Sequence, residues 1–215
     1  MRQSIVNLGI ARGGPSGLGR RLALGGAPKR FLDIAVGVVA LVLAAPLLIV
    51  TAMLVRSLFG APVFRVERAI GLGGKQFNRY LFRTSIIGAN PRGNREVEDV
   101  DQEVWTEFLG SFLRRSDLDK LPLLVNVVLG DMSFIGPQAI APLEAQTLLS
   151  EAPEVLLARP GLIGPRTARY WRSNGNADPS LDGYYVRHWS MWLDLKIAWG
   201  AFARLRAEES IIPPR

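Results

Sequence analysis

The chain has 215 residues, 48% of them apolar, and a formal net charge of +7, with a positive mean hydropathy. That length suits one domain with a sizeable core, and the charge favours anionic partners such as lipid headgroups, nucleotide phosphates or nucleic acid. With no cysteine and a single histidine, His188, disulfide frameworks, thiolate metal sites and multi-histidine zinc sites are excluded, and a Ser-His-Asp triad is a poor fit.

Residues 1–28 are rich in Gly, Arg and Ser and include Gly13-Gly14-Pro15-Ser16-Gly17. No apolar period survives there, so a flexible basic lead-in is expected. A secretory signal is not, because the apolar run begins only after residue 30. Residues 29–59 read as a membrane segment. Ile34 to Val55 carries no charge and as a helix would measure about 33 Å, enough to cross a bilayer core. Two features favour a re-entrant hairpin over a span. Pro46 falls mid-helix, where it removes a hydrogen bond and bends the chain. The flanks are basic on both sides, with Arg20, Arg21, Lys29 and Arg30 before and Arg56, Arg65 and Arg68 after; a straight crossing would put one cluster on the wrong face. Asp33 is expected to pair with Arg30 or a neighbouring base.

Residues 60–207 form the expected cytosolic-face domain, with 208–215 as a tail. Val63 to Arg83 alternates loosely around Gly71-Leu72-Gly73-Gly74, a β-hairpin pattern whose glycines suit a turn better than a phosphate cradle. Residues 88–100 read as a surface loop. Trp105, Phe108, Leu109, Phe112 and Leu113 recur at helical spacing, which predicts an amphipathic helix over 103–115. A second helix is expected over 119–129 with Pro122 in its first turn, and another over 138–158. Arg159, Arg166 and Arg169 accompany the turns at Pro160-Gly161 and Gly164-Pro165. From Tyr184 to Ala207, Trp189, Trp192 and Trp199 mix with Arg187, Lys196, Arg204 and Arg206, as suits a helix in the headgroup zone.

The stretch Arg114-Arg115-Ser116-Asp117-Leu118-Asp119-Lys120-Leu121-Pro122, followed by Gly130-Asp131-Met132-Ser133 and Gly136-Pro137, carries the chemistry. It sets a carboxylate behind paired arginines and supplies turn amides, the parts that phosphate chemistry at a membrane requires. Arg114 and Arg115 also suit a helix C-terminus without any ligand, and Asp131 suits a turn.

These segments resemble the bacterial sugar transferases, small monotopic phosphoglycosyl transferases of exopolysaccharide assembly. The resemblance spans about residues 29–205. Its blocks are Lys29-Arg30-Phe31-Leu32-Asp33, Pro62-Val63-Phe64, Glu67-Arg68, Ile70-Gly71, Gly73-Gly74 and Phe82-Arg83-Thr84. They continue with Phe112-Leu113-Arg114-Arg115, Leu118-Asp119, Leu121-Pro122, Asn126-Val127, Gly130-Asp131-Met132-Ser133, Gly136-Pro137, Arg159-Pro160-Gly161, Tyr184-Tyr185-Val186 and Trp192-Leu193-Asp194.

The resemblance implies an α+β fold, mostly helical with a small β-hairpin, as a monotopic membrane protein with a proline-kinked re-entrant helix and interfacial amphipathic helices. It places the chain on the cytosolic face of the bacterial inner membrane, with Lys29, Arg30, Pro46, Trp189, Trp192 and Trp199 as membrane residues. It implies transfer of a sugar-1-phosphate from a UDP-sugar to a polyprenyl (undecaprenyl) phosphate with release of UMP. Asp119 matches the family's nucleophile, which forms a phosphosugar-aspartate intermediate and works with Mg2+. Arg83, Arg114, Arg115, Arg159 and Arg166 are candidate phosphate ligands. Expected partners are the UDP-sugar, the lipid phosphate and membrane lipid, with a second copy or polysaccharide assembly proteins as further candidates. Nucleic acid is not expected, since no nucleic-acid-binding signature accompanies the charge.

The chain departs from the family pattern at several positions. Lys120 replaces the glutamate of the catalytic dyad, Gln138 and Ala139 replace an arginine and a proline, Leu123 a glutamine, and Leu81 a lysine. A catalytically weakened paralogue acting as a scaffold or regulator therefore stands as the alternative.

Overall fold

The computed structural model describes residues 24–85, 100–145, 152–165 and 180–208. Most of the lead-in, the loop over 88–99, Arg166, Arg169 and the last residues fall outside these. The fold is mostly helical, with one two-stranded antiparallel sheet and one two-stranded parallel pair.

Helix α1, Gly26–Phe59, runs for 34 residues with Pro46 inside it. Gly25 and Gly60, which flank it, have φ of 80° and 75°, values that glycine adopts without a Cβ clash. The helix is buried only towards its ends. Lys29, Asp33 and Gly37 are buried at one end, and Thr51, Val55 and Phe59 at the other, each set at the four-residue spacing of a single helix face. Between them Val39, Val42, Leu43, Leu47, Ile49 and Val50 are exposed. It is the one described helix long and apolar enough to cross a membrane.

Strands β1 (Phe64–Ile70) and β2 (Gln76–Phe82) form the expected hairpin. Phe64 lies opposite Phe82 and Glu67 opposite Arg79, and Gly73 and Gly74 turn the chain at φ 65° and 78°. Helix α2, Val100–Arg115, buries Leu109 and Leu113 against Phe82, Val55 and Phe59. It leaves Trp105, Phe108 and Phe112 exposed. Gly110 lets it lie against the hairpin, since a Cβ there would collide with the Thr84 carbonyl.

The helix expected over 119–129 is instead a 3-10 turn, Leu118–Lys120, followed by α3, Leu123–Leu129. Pro122 has no N–H to donate, so an unbroken α-helical ladder cannot cross it. The chain makes tighter bonds there, Lys120 N–H to Asp117 O and Leu121 N–H to Leu118 O. Strands β3 (Ser133–Ile135) and β4 (Gly161–Ile163) pair in parallel, which the sequence pattern did not suggest. A Cβ at Gly136 or Gly161 would strike the opposite backbone. Of the helix expected over 138–158, the described parts are helical only at Ala145. Ile140 bridges Ile70, and Pro153–Leu157 is a 3-10 segment; Pro137, Pro142 and Pro153 withdraw the donors a helix needs.

The C-terminal helix is two elements, α4 (Ser180–Arg187) and α5 (Met191–Glu208). Ser190 starts the second by accepting the Leu193 N–H on its hydroxyl at 3.1 Å, an N-cap. At this break the start of α1 meets α4 and α5. Lys29 is ion-paired with Asp194, the Tyr185 hydroxyl donates to Asp194 Oδ1 at 2.7 Å, and the Trp189 indole donates to Oδ2 at 3.2 Å. Three expectations are corrected here. Lys29 and Trp189 face the interior rather than lipid, because a buried carboxylate needs a counter-charge and donors. Arg30 is half-buried and donates to the carbonyls of Val127 and Val128 at 2.7 and 2.9 Å, capping α3. Asp33 takes hydrogen bonds from the Ser133 hydroxyl and the Phe134 N–H, and of the two bases expected beside it the neighbouring one, Arg159, rather than Arg30, is its electrostatic partner.

Candidate active site

Asp119 sits in the 3-10 turn between α2 and α3, one turn past the last residues of α2. Ahead of it Asp117 adopts φ 56°, a left-handed conformation that costs a side-chain-bearing residue and concentrates at functional sites. That kink turns the chain away from α2. The Lys120 ammonium lies 2.6 Å from Asp117 Oδ1, so the residue at the dyad position is drawn to Asp117.

Asp119 is left with an unanswered oxygen. Its Oδ1 is buried and takes no hydrogen bond from the described residues. Burial raises the carboxyl above its usual pKa, and Asp117 adds to this. The Lys120 ammonium is the strongest opposing influence, followed by the turn's backbone and Arg114. Arg114 donates to the Thr84 carbonyl at 2.9 Å, which ties the end of α2 to the end of β2.

A cation outside the sequence-based set also belongs here. Arg79 on β2 is partly buried; desolvation and Arg65 lower its pKa, while the Asp119 carboxylate favours its charged form. Its Nε is buried without a hydrogen-bond partner. Its nearest acid, Glu67, is 3.6 Å from Nη1 and already paired with Arg65. Asn126 of α3 fixes the strand on either side of it, accepting from the Tyr80 N–H at 3.2 Å and donating to the Asn78 carbonyl at 2.7 Å.

Among the described residues, the expected arginines Arg83, Arg115 and Arg159 are not gathered at Asp119. Arg83 is buried, with its donors on the carbonyls of Ser85, Ala61 and Pro62. Arg159 donates to Gly130 O at 3.0 Å, and its electrostatic neighbours are Arg30 and Asp33. Arg115 is exposed at the end of α2. Pro46 is exposed within the bare stretch of α1, and Trp192 and Trp199 are 64% and 71% exposed.

Among the described residues there is no cluster of three or more acidic or histidine side chains that could hold a metal. Magnesium at nucleotide sites takes one or two carboxylates and draws its remaining ligands from phosphates and water. The bare Oδ1 of Asp119 would offer one such carboxylate ligand.

The family model described as bacterial sugar transferase matches residues 25–207. The chain belongs to the bacterial sugar transferase family. An exopolysaccharide production protein, ExoY, of Sinorhizobium fredii is 32% identical over 202 residues, covering 85% of this chain and 87% of that one. An undecaprenyl-phosphate galactose phosphotransferase of Salmonella typhimurium is 29% identical, over 79% of this chain and 38% of its own length. A UDP-glucose:undecaprenyl-phosphate glucose-1-phosphate transferase of Klebsiella pneumoniae is 30% identical, again over 79% and 38%. This sugar transferase thus spans well under half the length of those two enzymes.

Proposed function

We propose that this chain transfers a sugar-1-phosphate from a UDP-sugar to undecaprenyl phosphate at the cytosolic face of the bacterial inner membrane. The observation that carries the reading is the buried, unpartnered oxygen of Asp119, set among Arg79, Arg114 and Lys120 in a member of a family whose relatives include undecaprenyl-phosphate sugar transferases. A nucleophilic carboxylate divides a difficult displacement into two easier ones, and fixed cations stabilise charge on the transferring phosphoryl oxygens.

In the first step a carboxylate oxygen of Asp119 attacks the phosphorus nearest the sugar. The bond from that phosphorus to the bridging oxygen breaks, and UMP leaves with the electron pair. In the second, an oxygen of the lipid phosphate attacks the same phosphorus, the bond to Asp119 breaks, and the free carboxylate returns. Mg2+, held by Asp119 and the diphosphate, would supply further charge neutralisation when bound. Lys120, with its ammonium on Asp117, keeps positive charge beside Asp119 where the family has a glutamate.

The arrangement of α1 supports a re-entrant hairpin, bent at Pro46, that enters and leaves on one face. Both buried ends pack on the same body, Gly37 against Val127, Val128 and Phe134 and Val55 against Phe82 and Leu113. Exposed Trp192, Leu195, Trp199 and Phe202 on α5 form a single stripe suited to the headgroup zone.

Membrane fractions supplied with labelled UDP-sugars and undecaprenyl phosphate are expected to form the lipid-linked sugar diphosphate, and Asp119→Asn is expected to form none. If the unmodified chain makes no product from any UDP-sugar and Lys120→Glu gains turnover, the site is a weakened one and the transfer reading fails.

A further inference from the structure

We infer that Arg79 is the cation that holds the donor's diphosphate beside Asp119, taking over from the position of Leu81, where the family resemblance places a lysine. The inference deepens the transfer reading and rests on it for the identity of the donor.

Strand geometry makes the exchange of positions physical. In β2 side chains alternate between faces, so residues 77, 79 and 81 share one. Phe77 and Leu81 on that face pack with Leu123, Val127 and Met132, under the helix that follows the Asp119 turn. A cation lost at 81 can return to the same face only at an odd neighbour. Arg79 lies two residues along, about 7 Å away, and carries its charge on a long side chain. The clamp from Asn126 to Asn78 and Tyr80 holds the backbone on each side of it, so the guanidinium is aimed by a fixed strand rather than by a loop.

The hydrogen-bond inventory leaves room for a ligand. Arg79 Nε and Asp119 Oδ1 are both buried without a hydrogen-bond partner among the described residues, and their residues interact electrostatically. Buried polar atoms normally find partners. A donor and an acceptor both unfilled in one neighbourhood fit a guest that carries anionic oxygens for the guanidinium and an electrophilic phosphorus for the carboxylate. A planar guanidinium is the side chain best matched to phosphate oxygens.

The bland account is that Arg79 serves the hairpin by pairing with Glu67 across the strands. The two accounts separate in a binding experiment on the full-length chain in Asp119→Asn background, where the donor is bound but not consumed. Arg79→Gln is expected to weaken UDP-sugar binding by about tenfold or more, the scale of a hydrogen bond to a charged group. Arg79→Lys should lose less. Glu67→Gln, which removes the cross-strand partner, should bind as well as its parent. Should Arg79→Gln fold less well, Arg79→Lys with a matched thermal midpoint gives the same comparison. Unchanged binding in Arg79→Gln, an equal loss in Glu67→Gln, or no UDP-sugar binding at all would overturn the inference. Binding that depends on Arg79 in a chain that never yields lipid-linked product would uphold it while removing the transfer reading.

Discussion

Asp119 combines a strained neighbour, a buried oxygen and a raised pKa, and these have opposite effects on activity and stability. In the proposed transfer, attack needs the ionised carboxylate. The acid limb of kcat/KM is therefore expected above the ordinary carboxylate value of 3.8, and Lys120→Gln, which removes the strongest influence holding the carboxyl down, should shift that limb to higher pH. A limb that stays put in the variant would remove Lys120 from the electrostatics of the site. For stability, a raised pKa means the fold favours the protonated form. That contribution is complete below the ordinary pKa and is lost as pH rises through the raised one. Asp119→Asn should thus abolish transfer without lowering the thermal midpoint at neutral pH. Asp119 could be singled out in the sequence because it stands in an ordered series of blocks. Arg79 was not, since only strand register reveals that it shares a face with Leu81. The inward turn of Lys29 was equally hidden, because a lysine before an apolar helix reads alike whether it reaches for lipid or for a buried acid.

Among the elements, the junction between the start of α1 and the break before α5 is the most tightly determined. Asp194 is held there by Lys29, Tyr185 and Trp189, and burial together with that carboxylate keeps the Tyr185 phenol protonated. Removing one member of a buried ion pair leaves the other charge uncompensated, at a cost of about 3–5 kcal/mol. Asp194→Ala should accordingly lower the thermal midpoint and loosen α1, read as faster hydrogen exchange over its first turns, whereas the exposed Lys196→Ala should change neither. The hairpin and α2 were legible because their turn glycines and apolar spacing agree with the final packing. The segment after Pro137 was not. Its leucines suggested a helix, yet Pro142 and Pro153 withdraw donors and Ile140 finds a strand partner at Ile70. The β3–β4 pair was invisible for another reason: strands this short show no alternation, and a parallel pairing joins residues far apart in the chain.

At the scale of the whole molecule, large apolar side chains of the described residues are exposed along the middle of α1, on α2 at Trp105, Phe108 and Phe112, and on α5 at Trp192 and Trp199. Soluble proteins seldom show apolar patches of this extent, so the three surfaces suit a bilayer. The chain has no cysteine, which allows a clean topology measurement. Ala27→Cys in the first turn of α1 and Ala61→Cys just past its end, both at exposed positions, are expected to react with a membrane-impermeant thiol reagent from the same side of sealed vesicles. Labelling from opposite sides would replace the hairpin with a span. The tethering of both α1 ends to one body also bears on biogenesis. In the proposed hairpin neither charged flank has to be carried through the hydrocarbon, and only one leaflet is displaced. Protein made in a cell-free system should then enter preformed liposomes unaided, with no translocation machinery and no electrochemical gradient.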